Sequence, residues 1–216
     1  ECSEQIFNRL YANSLAQHIA GSNPKIRRIF DLWENTPALD SPLEKNEQLK
    51  SVLIEETPWL RQAQDESEAR RNVGILFDNN RLDSEAKRAY DQLEKQQLSN
   101  GLWPWFPGNP GSHYITLYIT TGFGRMRHLG ADDIQMDLAI KSLHALDDWM
   151  DERYHDILKQ SDPEDYVPSS EDALYLYGRS FFLDDQPIDR KQLPAVDFFL
   201  AQSKKFWLKV DSRQSQ

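Results

Sequence analysis

An all-α fold is predicted by three observations. Apolar residues recur at three- and four-residue steps, no segment shows convincing strand alternation, and the connectors are rich in Pro, Gly, Asn and Asp. The first helix is read from Ile6, Phe7, Leu10, Tyr11, Leu15 and Ile19, which share one helical face. "SPLE" at Ser41–Glu44 joins an N-cap serine, a first-turn proline and a glutamate at the third position, a capping box that opens another helix. The stretch around 44–97 is more charged and reads as a helical insertion beside the main body of one domain. Ile115, Ile119, Phe123, Met126 and Leu129 form a further stripe. Its β-branched residues suit a strand, but their spacing is helical, and Gly130 supplies the C-terminal cap. Helices are also expected over 132–158, 170–182 and 194–208.

The totals bound the function. With 216 residues the chain has ample length for a core, and a formal net charge of -10 argues against the basic face that nucleic-acid binding requires. The same charge opposes docking on anionic lipid, and no apolar run reaches the length of a membrane span. The chain begins "ECSEQ" without an initiator Met, so it reads as part of a longer protein. One cysteine forms no internal disulfide, and it leaves the redox compartment open.

A short repeat links three helices: "LYANSL" from Leu10, "LYITTGF" from Leu117 and "LYGRSFF" from Leu176. Each places a small hydroxyl residue, Ser14, Thr121 or Ser180, four positions after the leucine. Small residues on one face of repeated helical hairpins suggest inner helices packed around a common axis.

Several patterns invite a chemical reading. "DDWMD" at Asp147–Asp151 matches the DDxxD pattern with which prenyl-diphosphate enzymes hold magnesium, since carboxylates on successive turns can share a cation. Leu143, Leu146, Met150 and Tyr154 mark the apolar face of the same helix, which is expected to leave Asp147, Asp148, Asp151 and Glu152 on the solvated side. No metal site is assigned there. His18, His113, His128, His144 and His155 lack ligand spacing and read as surface or satisfied histidines. "GLWPWFPG" at Gly101–Gly108 sets Trp103, Trp105 and Phe106 just ahead of a helix. It is either a hydrophobic plug between helical hairpins or an apolar wall around a site.

Cys2 also has two readings. A free cysteine usually behaves as a small buried hydrophobe. It also stands three residues before Gln5, and positions i and i+3 meet on a helix surface, so sulfur and side-chain carboxamide can approach at a helix N-terminus. A thiol held in attack geometry can gain effective molarities on the order of 10⁵–10⁸ M and expel ammonia as a thioester forms.

"CSEQ", Cys2–Gln5, resembles the Cys-Gly-Glu-Gln thioester motif of the alpha-2-macroglobulin and complement thioester proteins, with Ser3 in place of the glycine. "GLWPWF" followed by "SHYITLYITTGFGRM" is similar to the family's aromatic loop and the helix after it, with Tyr114, Ile115, Thr116 and Tyr118 at the matching places. The whole resembles bacterial alpha-2-macroglobulins. The resemblance implies an α/α toroid, incomplete in this chain, in a protein exported to the periplasm or cell surface. It implies a Cys2–Gln5 thioester that captures attacking proteases through their amines, in a single-turnover trap that is not an enzyme. It further implies neighbouring macroglobulin domains as partners, and no cofactor. Glu4, Trp103, Trp105, Phe106, His113 and Tyr114 are then the expected thioester pocket. Ser169 and Ser170 stand where hydroxyl-preferring members of the family carry a catalytic histidine, which implies direct attack by amines. Cut from its neighbours, the chain is expected to show a free thiol, because one domain cannot wall off the carbonyl from water. Two rival readings are a toroid enzyme acting on isoprenoid diphosphates or glycans, and a structural member that forms no thioester.

Overall fold

A computed structural model describes residues 1–33, 79–131 and 133–209. The described residues hold helices α1 (Ser3–Ser22), α2 (Pro24–Trp33), α3 (Asn79–Gln96), α4 (His113–His128), α5 (Met136–Leu158), α6 (Ser170–Ser180) and α7 (Leu193–Phe206), with a 3₁₀ turn at Pro163–Asp165. Among them the only β pairing is an isolated bridge between Pro104 and Gly111. The all-α expectation is met. No described helix is long and apolar enough to cross a membrane. The Ser41–Glu44 capping box and most of the charged 44–97 stretch lie outside the described residues, and α3 forms the end of that stretch.

The chain divides into two compact units, residues 1–11 with 88–216, and residues 12–87. In the second unit, the Asn23 side chain accepts from the Lys25 N–H at 3.1 Å and Pro24 opens α2, a standard helix start. Gln17 donates to Asp83 across 2.7 Å, and Leu82 is buried.

The first unit carries two packing centres. In one, α4 packs on α5 and α6, and α7 closes over α5 and α6. Leu117, Leu146, Met150, Ile157, Tyr175 and Phe199 form its buried cluster. Close approach of α4 and α6 requires Gly178, since a Cβ there would overlap the Thr121 hydroxyl. The other centre gathers Ile6, Phe7 and Leu10 of α1, Ala89, Tyr90 and Leu93 of α3, and Phe123 of α4, all buried. Phe7 lies 5.4 Å from the Phe123 ring and 6.0 Å from Tyr118, over the bare Gly122 backbone.

Several expectations shift. α5 begins at Met136 rather than 132, because Asp133 takes a left-handed φ of 54° that interrupts a helix. The α1 stripe is buried only in its first three turns. Ile19 is 67% exposed, so the apolar face read to that point outruns the packing. The repeated hydroxyl residues are not equivalent. Thr121 is buried against Gly178, whereas Ser180 is exposed and donates to the Tyr177 carbonyl of its own helix.

The largest correction is Asp147. It is not on a solvated face: it is 2% exposed, and its partner Arg179 is buried with it at 3%. Arg179 donates from Nε to Asp147 Oδ1 at 2.9 Å and from Nη2 to Oδ2 at 3.2 Å, and the Tyr175 hydroxyl donates to Oδ1 at 2.7 Å. Arg179 also donates to the carbonyls of Phe182 and Gln186. Burial first, then the Asp147 charge, drives the Tyr175 phenol upward, so it stays a donor. Glu152 keeps the expected exposure, whereas Asp148 and Asp151 are half-buried.

Candidate functional site

Cys2 is the cap of α1. Its sulfur accepts from the Gln5 N–H at 3.4 Å, and its own N–H donates to Gln5 Oε1 at 3.3 Å. These reciprocal bonds have the form of a capping box, with a thiol in place of the usual hydroxyl. Sulfur and carboxamide each bond to the other residue's backbone N–H across the first turn. Cys2 is 5% exposed and Gln5 is exposed, so the sulfur sits inside and the amide at the surface.

The neighbouring wall comes from the loop between α3 and α4. Gly101 has a φ of 86° and lies so near α5 that a Cβ would overlap the Lys141 carbonyl. Gln97 donates to both the Gly101 and Leu138 carbonyls, fixing that end. Trp103 is wholly buried. Its indole N–H donates to the Leu93 carbonyl at 2.8 Å, and its backbone N–H donates to Thr116 Oγ1 at 2.8 Å. Trp103 is thus the plug of the two readings, anchoring the loop to α3 and α4. Beyond it, the Trp105 carbonyl accepts from the Ser3 N–H at 3.0 Å, directly beside Cys2.

The aromatic loop and the first turn of α1 are consequently bound together. Trp105 stacks on Tyr114 with ring centroids 6.2 Å apart and planes inclined by 19°. Trp105, Phe106 and Tyr114 are 39%, 54% and 43% exposed, so they form an open aromatic rim rather than core. Tyr118, one turn further along α4, donates to Asn8 at 2.6 Å and lies near the Glu4 carboxylate. Burial and then Glu4 raise its phenol above the ordinary range.

His113 faces a different neighbour. It stacks on Trp149 with centroids 5.0 Å apart and planes 3° from parallel. Burial lowers its pKa below the usual histidine value, against the pull of Glu152 and Glu171. Trp149 in turn carries the Arg153 guanidinium, 5.3 Å from the ring, and Arg153 donates to the buried Asp172 at 2.8 Å. Ser169 is the α6 N-cap: its hydroxyl accepts from the Asp172 N–H, and Asp172 Oδ2 accepts from the Ser169 N–H at 2.7 Å. The serine pair at that helix start, Ser169 and Ser170, thus includes a capping residue.

Two contributors escaped the sequence reading. Ser3 is fully buried, with its hydroxyl 2.7 Å from the Pro104 carbonyl and 2.8 Å from Gln96 Oε1. Gln96 carries no local signal, because its contact spans 93 residues. Among the described residues, no three His, Cys, Asp or Glu side chains converge as metal ligands. Comparison of the chain with protein-family models, curated proteins and solved structures gave no match.

Chemically, the first turn holds a nucleophile, an acyl carbon and a donor to the acyl oxygen. Addition of the Cys2 thiol to the Gln5 side-chain carbon would form a sulfur–carbon bond and place negative charge on Oε1, the atom that accepts from the Cys2 N–H. Collapse would restore the carbonyl, break the carbon–nitrogen bond, and release ammonia carrying the former thiol proton.

Proposed function

We propose that this chain is the thioester-bearing domain of a bacterial alpha-2-macroglobulin-like protease trap, with an α/α-toroid arrangement of its helices. The observation that carries the reading is the pair of contacts joining Cys2 and Gln5 across one helical turn, 3.4 Å from Gln5 N to sulfur and 3.3 Å from Cys2 N to Oε1. The motif resemblance in the same order along the chain supports it. In this reading the protein is exported to the periplasm or cell surface, flanked by macroglobulin domains. A target protease is acylated once, through a lysine amine that attacks the thioester and releases the Cys2 thiol. Trp105, whose carbonyl accepts from the Ser3 N–H, and Tyr114 stacked on its ring would form the loop side of the pocket, while Trp103 anchors that loop in the core.

A second reading is favoured by the same contacts: Cys2 and Gln5 are a capping box and nothing more, in a structural member of the family. Intact mass separates the two. In the full-length protein the first reading expects a deficit of one ammonia and no alkylatable thiol. Methylamine then adds at Gln5 and exposes Cys2, and Cys2→Ala abolishes both changes. A freely alkylatable Cys2 in untreated full-length protein refutes the trap reading and leaves the cap.

A further inference from the structure

We propose that Ser3, the residue enclosed by the thiol and the carboxamide, is the positioning residue for thioester closure. The inference rests on the trap reading and assigns a role inside the same site. Ser3 is 0% exposed, more deeply buried than Cys2 itself. It joins the first turn of α1 to the aromatic loop twice, through its N–H to the Trp105 carbonyl and through its hydroxyl to the Pro104 carbonyl.

The hydroxyl has one proton and two oxygen neighbours, Pro104 O at 2.7 Å and Gln96 Oε1 at 2.8 Å. Both contacts are satisfied when the Ser3 proton goes to Pro104 and the Gln96 amide turns to donate to Ser3. The result is a bridge from α3 through Ser3 to the loop. Arg9 closes the other side, donating to Glu1 at 2.5 Å and to Gln92 of α3 at 3.0 Å. The backbone is tied to the loop at Ser3, directly after Cys2, while the exposed Arg9–Glu1 pair adds a weaker side-chain link before it. Closure then needs rotation of the two reacting side chains about a backbone held at Ser3. A small misplacement at such a centre costs rate out of proportion to its size.

The test compares thioester content and lifetime in full-length wild type, Ser3→Ala, Gln96→Leu and Ser142→Ala. Ser142 is an equally buried hydroxyl on α5, bonded to Thr120 at 2.7 Å and to the Ala139 carbonyl, and it serves as a control for loss of a buried hydroxyl. The ammonia deficit is followed by intact mass over time, and each variant's melting temperature is recorded. In Ser3→Ala the deficit is expected to form or persist roughly 10–100-fold less well, with Gln96→Leu intermediate. Ser142→Ala is expected to lower the melting temperature while keeping the wild-type deficit. Wild-type thioester content in Ser3→Ala and Gln96→Leu overturns the role of Ser3 and leaves the trap reading standing, as does equal loss in Ser142→Ala. Should Ser3→Ala fail to fold, Gln96→Leu with the wild-type deficit and lifetime overturns it. Wild-type protein without any deficit overturns the trap reading, and the role of Ser3 with it.

Discussion

Asp147→Ala is expected to be among the most damaging single substitutions in α5. The change removes the carboxylate hydrogen-bonded to Arg179, which is 3% exposed and, among the described residues, keeps hydrogen bonds to the carbonyls of Phe182 and Gln186. Breaking one side of a buried pair costs about 3–5 kcal/mol, because the remaining charge is left uncompensated in a dry site. At about 2–4 °C per kcal/mol for a chain of this size, the melting temperature should fall by about 6–20 °C. The hydroxyl of Tyr175 loses its acceptor as well, so the estimate belongs toward the upper end. The neighbouring Asp148→Ala is the natural comparison, since that carboxylate is 45% exposed and pairs with Lys191 at 3.2 Å. Asp148 also accepts from the buried Gln192 amide at 2.6 Å, so its loss should cost roughly 1–3 kcal/mol, still less than that of Asp147. The double change Asp147→Leu with Arg179→Met should recover much of the loss, since apolar packing can replace a buried pair. Urea unfolding followed by helical circular dichroism measures all three. A midpoint for Asp147→Ala within that of Asp148→Ala would refute the argument that desolvation governs this site.

Gly178→Ala should destabilise by about 1–3 kcal/mol, because the added methyl overlaps the Thr121 hydroxyl at the α4–α6 contact. Combining it with Thr121→Ala should restore part of the loss, and a double variant no better than the single one would place the strain elsewhere. His113 predicts acid sensitivity: burial lowers its folded pKa, so the unfolded chain binds the proton more readily. Its contribution is present above about pH 6.5 and is lost as pH falls from there toward the folded value. Unfolding midpoints should decline less steeply over that window in His113→Gln, and an unchanged slope would remove His113 as the cause.

Much of the helical architecture was legible from spacing, because a 3.6-residue period records which side of a helix meets apolar neighbours. Leu143, Leu146 and Met150 are buried as their spacing requires, and so are Ile115, Ile119, Phe123 and Met126. The meeting of Cys2 and Gln5 was legible for the same reason, since three residues of helix bring i and i+3 together whatever the rest of the chain does. At Asp147 the period held and the charge misled. This residue lies four residues after Leu143 and three before Met150, on the apolar stripe, yet its charge argues for water. Only an arginine from 32 residues away makes burial tolerable.

The sequence by itself determined the local terms: the helices, their apolar faces, and Cys2 and Gln5 on one turn. Tertiary structure decided every property that depends on a partner distant along the chain. It buried Trp103 while leaving Trp105 and Phe106 exposed, although all three stand in one short loop. It set Ser3 beneath the Pro104 and Trp105 carbonyls, 101 residues away for the first of them. It turned His113 onto Trp149. The physical reason is that a residue's helical phase follows from its near neighbours. Whether a carboxylate, hydroxyl or indole can leave water depends on a donor or acceptor whose position no local period encodes.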